Sequence, residues 1–327
     1  MKNAIDLFSE LGERLMQFGS EAASRRAIEQ ARQANEWFTE TDIRQAVNAL
    51  RTEMLQRCKL EKWLAAYTLP VTSPRRVLVI MAGNIPLVGF YDLLCTIAAG
   101  DHCVVKPSSK DRVLMNYIIA LLREINPGIA VSYYTDNEAI DAVIATGSGN
   151  ANRYFKSHFA TLPSLLRGSR QSVAVLSGEE TKTQLQGLAQ DVFAYAGLGC
   201  RNVSLLFVPR GHEVPLQIPS MNPKYHNNYL QTKALLEMTN APFRDLGGAV
   251  MVEQRDFSTA LSQLNYAYYD HLSEVSAWLA THEQEVQCVV STTLPHSRRV
   301  DFGQAQSPTL HDCPDERDVV DFLLRIN

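Results

Sequence analysis

Apolar residues in the first 68 positions recur every three or four places. Ile5, Phe8, Leu11 and Leu15 fall on one face of a helix, and Thr39-Glu40-Thr41-Asp42 opens another that carries Ile43, Val47, Leu50 and Leu55. No strand signal interrupts this segment. The pattern breaks at Pro70-Val71-Thr72-Ser73-Pro74, and from Arg75 onward short β-branched runs alternate with helix-length stretches. The runs 77–80, 103–105, 129–133 and 142–145 are nearly continuous in apolar residues, as strands buried on both faces are. Helices are predicted between them at 87–99 and 109–125, with a short one at 136–141. A run at 172–176, a helix at 181–196 and strands near 203–208, 248–252 and 286–291 repeat the theme. Pro219 to Asn228 reads as a loop. The fold class is therefore α/β: two doubly wound, mostly parallel units behind an N-terminal helical segment, an architecture that takes ligands at the carboxyl ends of its strands. The expected organisation is a helical segment over 1–70, α/β units over 71–171 and 172–300, and a segment 301–327 that packs back on the body.

Composition narrows the classes. The chain has 327 residues, 46% of them hydrophobic and 20% charged, which excludes a disordered or fibrous protein. Its 31 Lys and Arg against 35 Asp and Glu give a net charge of -4, without the basic field that a nucleic-acid partner requires. No run of about 18 apolar residues predicts a membrane span, and the start carries acids where a secretory signal has an apolar centre. A cytoplasmic protein is expected. Six cysteines without a C-x-x-C pair predict neither disulfides nor structural zinc, and the eight histidines form no metal-binding pattern, so no metal is expected.

Three loops follow predicted strands: Met81-Ala82-Gly83-Asn84-Ile85-Pro86, Lys106-Pro107-Ser108-Ser109-Lys110 and Thr146-Gly147-Ser148-Gly149-Asn150. Glycines let a backbone approach a ligand, and a following helix N-terminus offers N–H groups to a phosphate. Each loop alone also suits an ordinary strand-to-helix turn; three along one sheet edge argue for a nucleotide site. The G-x-G-x-x-G fingerprint is absent after the first strand, so a standard Rossmann site is not supported. Cys200 stands in Gly197-Leu198-Gly199-Cys200-Arg201-Asn202, after a helix and before a strand. Two glycines and the cation of Arg201 make an open backbone and a field favouring thiolate, as a nucleophilic cysteine needs. A buried cysteine in a tight turn fits the same residues. Lys224-Tyr225-His226-Asn227-Asn228-Tyr229 suits the wall of an amphipathic channel, though a capped helix start is the commoner explanation.

The order of these pieces resembles the aldehyde dehydrogenase superfamily across roughly residues 75–291. Within it the chain is similar to the acyl-CoA reductases related to the fatty-acid reductase subunit of bacterial bioluminescence, through Gly83-Asn84-Ile85-Pro86 with Gly89-Phe90 and through Ala196 to Asn202. The resemblance implies that Asn84 supplies an oxyanion-binding amide and that Cys200 is the nucleophile. It also implies that Lys106, Ser108 and Ser109 hold the adenosine end of NAD(P) and that Gly147 and Ser148 open the helix under its pyrophosphate. Residues 71–171 then form the dinucleotide-binding unit and 172–300 the catalytic cysteine unit. Asn84 also suits a plain turn, and Lys106 a solvated strand end.

Three departures qualify the resemblance. Leu166 stands where the family's hydrolytic members carry a water-activating glutamate; Arg244-Asp245-Leu246-Gly247-Gly248 replaces the segment that holds the nicotinamide ribose; and the chain is short between Cys200 and Arg244, where an oligomerisation arm would lie. Loss of the glutamate suits an enzyme whose thioacyl intermediate meets hydride rather than water. The expected activity is NAD(P)H-dependent reduction of an acyl-CoA to an aldehyde, with NADPH favoured over NADH because Ser109 stands where NAD-preferring relatives carry an acid, and Lys110 follows it. The expected partners are acyl-CoA and either a second copy of the chain or an acyl-activating enzyme. Reduction of an acyl phosphate, or a non-catalytic binding protein on the same fold, remain the alternatives.

Overall fold

A computed structural model describes residues 3–69, 73–136 and 138–326. The chain divides into two compact units, one of residues 1–169 with 307–327 and one of 170–306. The first opens with helices α1 (Ala4–Arg14), α2 (Ala22–Ala34), α3 (Glu40–Glu53) and α4 (Arg57–Leu64). Their starts follow from local chemistry: Asn3 Oδ1 accepts from Asp6 N at 2.8 Å, and Thr39 with Asp42 forms a reciprocal capping box. There follow β1 (Arg76–Ile80), α5 (Phe90–Ala99), β2 (His102–Lys106), α6 (Arg112–Ile125), β3 (Val131–Tyr133), β4 (Ala142–Thr146), α7 (Gly149–His158) and β5 (Ser164–Arg167).

The five strands form a parallel sheet in the order β3-β2-β1-β4-β5. Alternation along each strand splits its side chains between two cores. Val77, Val79, Cys103, Val105, Ala142 and Ile144 join Phe8, Leu11, Ile43, Trp63 and Phe90 of the helices. Leu78, Val104, Val143 and Ala145 face Phe155, Phe159 and Leu166 on the other side. The N-terminal helices thus cover a sheet face, and fully burying side chains of this size contributes about 1.5–3 kcal/mol each.

The second unit comprises β6 (Gln171–Val175), α8 (Lys182–Phe193), β7 (Val203–Pro209), α9 (Pro223–Met238), β8 (Arg244–Asp245), β9 (Val250–Glu253), β10 (Gln263–Tyr269), α10 (Leu272–Thr281), β11 (Val286–Val290) and β12 (Arg299–Val300). Its sheet runs β12-β11-β6-β7-β10-β9-β8, parallel except for the short β8 and β9 pair. Helix α11 (Val319–Arg325) belongs to the first unit and buries Val319, Val320 and Leu323 in its core.

Several expectations need correction. The short helix expected at 136–141 does not form at Asp136 or 138–141, and Asn137 lies outside the described residues. The acids there are committed elsewhere: Glu138 accepts from Thr135 N at 2.8 Å and pairs with Arg76, while Asp141 accepts from Arg76 N at 2.7 Å. The expected loop 219–228 becomes helix α9 from Pro223, because Asn222 Oδ1 accepts from Lys224 N at 2.8 Å and proline suits a first helical position. Helix α8 stops at Phe193, short of Ala196. Strands β5, β8, β10 and β12 carry too much polar sequence to stand out, yet β10 lies in the interior of its sheet between β7 and β9.

One buried ion pair pins unit 1. Arg167, the last residue of β5, donates from Nη1 and Nη2 to the Asp92 carboxylate at 2.9 and 2.8 Å, and from Nη1 to Thr146 Oγ1 at 3.3 Å. Asp92 lies in the first turn of α5, and both residues are buried. Removing one member of such a pair strands a charge and costs about 3–5 kcal/mol, whereas replacing both by apolar residues is close to neutral. Arg167→Ala is therefore expected to lower unit 1 stability by about that amount, and Asp92→Leu with Arg167→Met to recover most of it. Urea unfolding read by Trp37 and Trp63 fluorescence in a Trp278→Phe background tests this.

Candidate active site

Unit 1 gathers six of the expected residues along one edge of its sheet. Asn84 is exposed beyond β1, Lys106 and Ser109 are exposed at and beyond the end of β2, with Ser108 half-buried, and Gly147 and Ser148 follow β4. Strands β1 and β4 are neighbours where the strand order reverses, the position at which such sheets bind ligands. The glycines serve the protein's own packing. A Cβ on Gly83 would come within 2.6 Å of Ser108, and one on Gly147 within 2.8 Å of Ala151. Ser148 caps α7 by accepting from Ala151 N at 3.4 Å, and the space where Gly149 would carry a Cβ is open to 4 Å. Lys106 Nζ stands 4.8 Å from the centre of the Tyr134 ring, at the end of the neighbouring strand.

The loops after β1 and β2 are tied by a residue that the sequence pattern did not single out. Leu87 is buried with φ 59°, a left-handed conformation that costs an L-residue about 1–2 kcal/mol. Its N–H donates to Asp111 Oδ2 at 2.8 Å. Burial pushes the Asp111 carboxyl well up, the Leu87 N–H opposing this, and Oδ1 is buried without a hydrogen-bond partner among the described residues. Asp111 precedes α6, the place of a helix cap, but it makes no side-chain cap there.

Unit 2 holds Cys200 by itself. After α8, Tyr195, Ala196 and Gly197 take φ 52°, 54° and 70°, two of them non-glycine residues at about 1–3 kcal/mol each. Helix ends leave carbonyls without partners, and here Asn202 meets them: its Nδ2 donates to the carbonyls of Asp191, Val192 and Ala194 at 3.1, 3.2 and 3.0 Å. Asn202 Oδ1 accepts from Gly199 N at 2.8 Å. On the other side, Ser172 Oγ donates to the Cys200 carbonyl at 3.0 Å. The backbone around Cys200 is fixed while its side chain is exposed. Cys95, Cys103 and Cys288 are buried, Cys313 is half-buried and Cys58 exposed. Cys200 follows the α8 segment and precedes β7, as expected, so this turn lies at the amino end of its strand.

Arg201 donates from Nε to the Ala305 carbonyl, and segment 303–305 is held in turn by Asp191, which accepts from Gly303 N at 2.6 Å and Ala305 N at 3.0 Å. The expected departures also have structural counterparts. Leu166 packs with the apolar face of β1 and β4, so the end of β5 presents Leu166 and the paired Arg167. Asp245, on the short edge strand β8, accepts from Tyr229 Oη and Gly247 N at 2.8 Å each. Asn222 caps α9 and Tyr225 and Tyr229 are buried on it, which bears out the capped helix start. Among the described residues, no cluster of three or more His, Cys, Asp or Glu is placed to hold a metal, and no helix is long and apolar enough to cross a membrane.

The fold is similar to that of aldehyde dehydrogenase 21 from Physcomitrella patens, with a TM-score of 0.70 at 12% identity over 98% of this chain and 83% of that one. It is an aldehyde dehydrogenase fold. The sequence matches the acyl-CoA reductase (LuxC) family over residues 13–218, and the chain belongs to that family. It is 27% identical over 139 residues to long-chain acyl-protein thioester reductase 2 of Photobacterium leiognathi, covering 37% of this chain and 29% of that protein. It is 24% identical over 161 residues to the long-chain acyl-protein thioester reductase of Aliivibrio fischeri, covering 43% and 34%. The matched stretches thus span about a third of these relatives' length.

Burial pushes the Asp191 carboxyl up to about 7 from an ordinary 3.8, against the pull of the Gly303 and Ala305 N–H groups and of Arg201. The folded state then holds a proton that the unfolded state has released, so the stabilisation is full below about 4 and is lost as pH rises through about 7. At roughly 1.4 kcal/mol per pH unit, unit 2 is expected to lose about 2–3 kcal/mol between pH 5 and 8 from this group. Asp191→Asn should flatten that slope even where it lowers overall stability, as read by Trp278 fluorescence in urea at each pH.

Proposed function

We propose that the protein reduces an acyl-CoA thioester to the aldehyde with NADPH, through a thioacyl intermediate on Cys200. The observation that carries this reading is an exposed thiol on a backbone fixed at both sides, in a chain of the acyl-CoA reductase (LuxC) family. Cys200 as thiolate attacks the acyl carbonyl, the carbon–sulfur bond to CoA breaks, and CoA departs as its thiol after taking a proton. Asn84 is assigned the oxyanion through its side-chain amide, with the Cys200 N–H as second donor; removing one such donor generally costs about 10²–10³ in rate.

The donors along the unit 1 sheet edge fit a dinucleotide phosphate: an exposed ammonium at Lys106, hydroxyls at Ser108 and Ser109, and the open N-terminus of α7 at Gly149. When bound, NADPH supplies the hydride that turns the thioacyl carbonyl into an aldehyde and frees Cys200. Leu166 supports reduction over hydrolysis, because it leaves no carboxyl at its position to activate water. The names of the two curated relatives favour a second acyl donor, a thioester carried on a partner protein.

Cys200→Ala is expected to abolish transfer of a radiolabelled acyl group from acyl-CoA to the protein while NADPH binding persists. Label retained at another residue rejects the assignment. A wild-type protein labelled only by an acylated protein, and not by acyl-CoA, selects the second donor.

The 2′-phosphate of NADPH would meet Lys106, Ser108 and Ser109, with Lys110 adding positive potential. One charge-assisted bond is worth about 1.5–3 kcal/mol, or roughly tenfold or more in affinity. Titrating both reduced cofactors at matched ionic strength is expected to give NADPH at least that advantage, and tighter NADH binding refutes recognition of the 2′-phosphate here.

A further inference from the structure

We infer that Asn202 is the positioning residue of the Cys200 nucleophile, holding the turn that presents the thiol through both ends of its carboxamide. The inference rests on the nucleophile reading above and goes beyond it, because Asn202 is buried and its side chain bonds backbone groups.

Four hydrogen bonds from one side chain carry it. The amide nitrogen of Asn202 collects the carbonyls of Asp191, Val192 and Ala194 at the end of α8, and its oxygen holds the N–H of Gly199, the residue immediately before Cys200. Its own N–H donates to the Gly199 carbonyl at 3.1 Å, which closes a tight loop around the cysteine. Asn202 is 4% exposed, so these are bonds made in place of water. The chain between its two anchor points is the left-handed run Tyr195, Ala196 and Gly197, which has no regular ladder of its own. Only a side chain that donates at one end and accepts at the other satisfies both anchor points. An aspartate of the same shape would turn an oxygen toward three carbonyl oxygens. The Ser172 bond to the Cys200 carbonyl fixes the far side of the residue, but it does not reach Gly199 or the left-handed run.

The test compares wild type with Asn202→Ala and Asn202→Asp, and with Leu279→Ala as a control. Leu279, on α10, is buried in the core of the same unit and makes none of the Asn202 bonds, so its loss is expected to lower melting temperature without removing them. Hydrogen exchange at the Gly199 and Cys200 amides, kcat, KM for acyl-CoA and melting temperature are measured on each. Asn202→Ala is expected to speed exchange at those two amides, to lower kcat about 10²-fold as a displaced reacting group does, and to leave KM within about twofold. Leu279→Ala should lower the melting temperature while kcat stays near wild type. If Asn202→Ala does not fold, Asn202→Asp carries the kcat expectation, since it keeps the shape and the acceptor for Gly199 but loses the donor to the three α8 carbonyls. Wild-type kcat in a folded Asn202 variant, or a kcat loss equalled by Leu279→Ala at the same melting temperature, overturns the proposal. Failure of the wild-type protein to take an acyl label at Cys200 is a separate result, which overturns the nucleophile reading and this inference with it.

Discussion

The central parallel strands of unit 1, covered on both faces, have no room for a polar side chain along their middle. Leu78, Val79, Val104, Val105, Val143 and Ile144 are all essentially inaccessible to water, and an uncompensated amide or hydroxyl among them would cost several kcal/mol. Every group able to do chemistry is therefore displaced to the strand ends. In unit 1 this gathers Asn84, Lys106, Ser109 and Ser148 beyond three neighbouring strands. In unit 2 the displacement runs the other way, to the amino end of β7, and side chains must shape a turn that no helix N-terminus organises.

The polar groups that do enter the interior are spent on backbone. Asp111 takes the N–H of a left-handed leucine, Asn202 takes the carbonyls at the end of α8, and Asp191 takes two N–H groups of the 303–305 segment. Each holds a main-chain conformation that the local sequence does not favour by itself. Arg167 and Asp92 differ, since they satisfy each other and join an edge strand to a helix. Among the described residues a few buried polar atoms stay unpartnered, Arg167 Nε and Asp111 Oδ1 among them, and for Asp111 the upward displacement of the carboxyl reduces the cost by favouring the neutral form.

How much of this could be seen in the sequence depended on periodicity. The strands 77–80, 103–105 and 142–145 and the helix opened by Thr39 were legible because hydrophobic spacing and a capping pair leave direct marks. Strand β10 was not, since Gln263-Leu264-Asn265-Tyr266 looks polar until Asn265 is found bonded to the Asp256 carbonyl inside the fold. The candidate residues were found by the order of short motifs, which says nothing about what supports them. Asn202 lay inside a quoted motif, but its bonds reach back eight to eleven residues to a helix end that the sequence placed three residues too late. The bond between Asp111 and Leu87 spans 24 residues and leaves no local mark.

The discontinuity of unit 1 has a consequence for the order of events during translation. Residues 1–169 leave the ribosome without Leu310, Val319, Val320 and Leu323, which complete their core, and without the carbonyl of Leu310 that accepts from Tyr91 Oη at 3.1 Å. Unit 2 is contiguous, and at about 5–20 residues per second its synthesis occupies roughly 7–27 s. The later unit is thus free to fold to completion first, while the earlier one waits with an apolar face exposed. Nascent unit 1, rather than the unit carrying the cysteine, is where a chaperone would find its substrate.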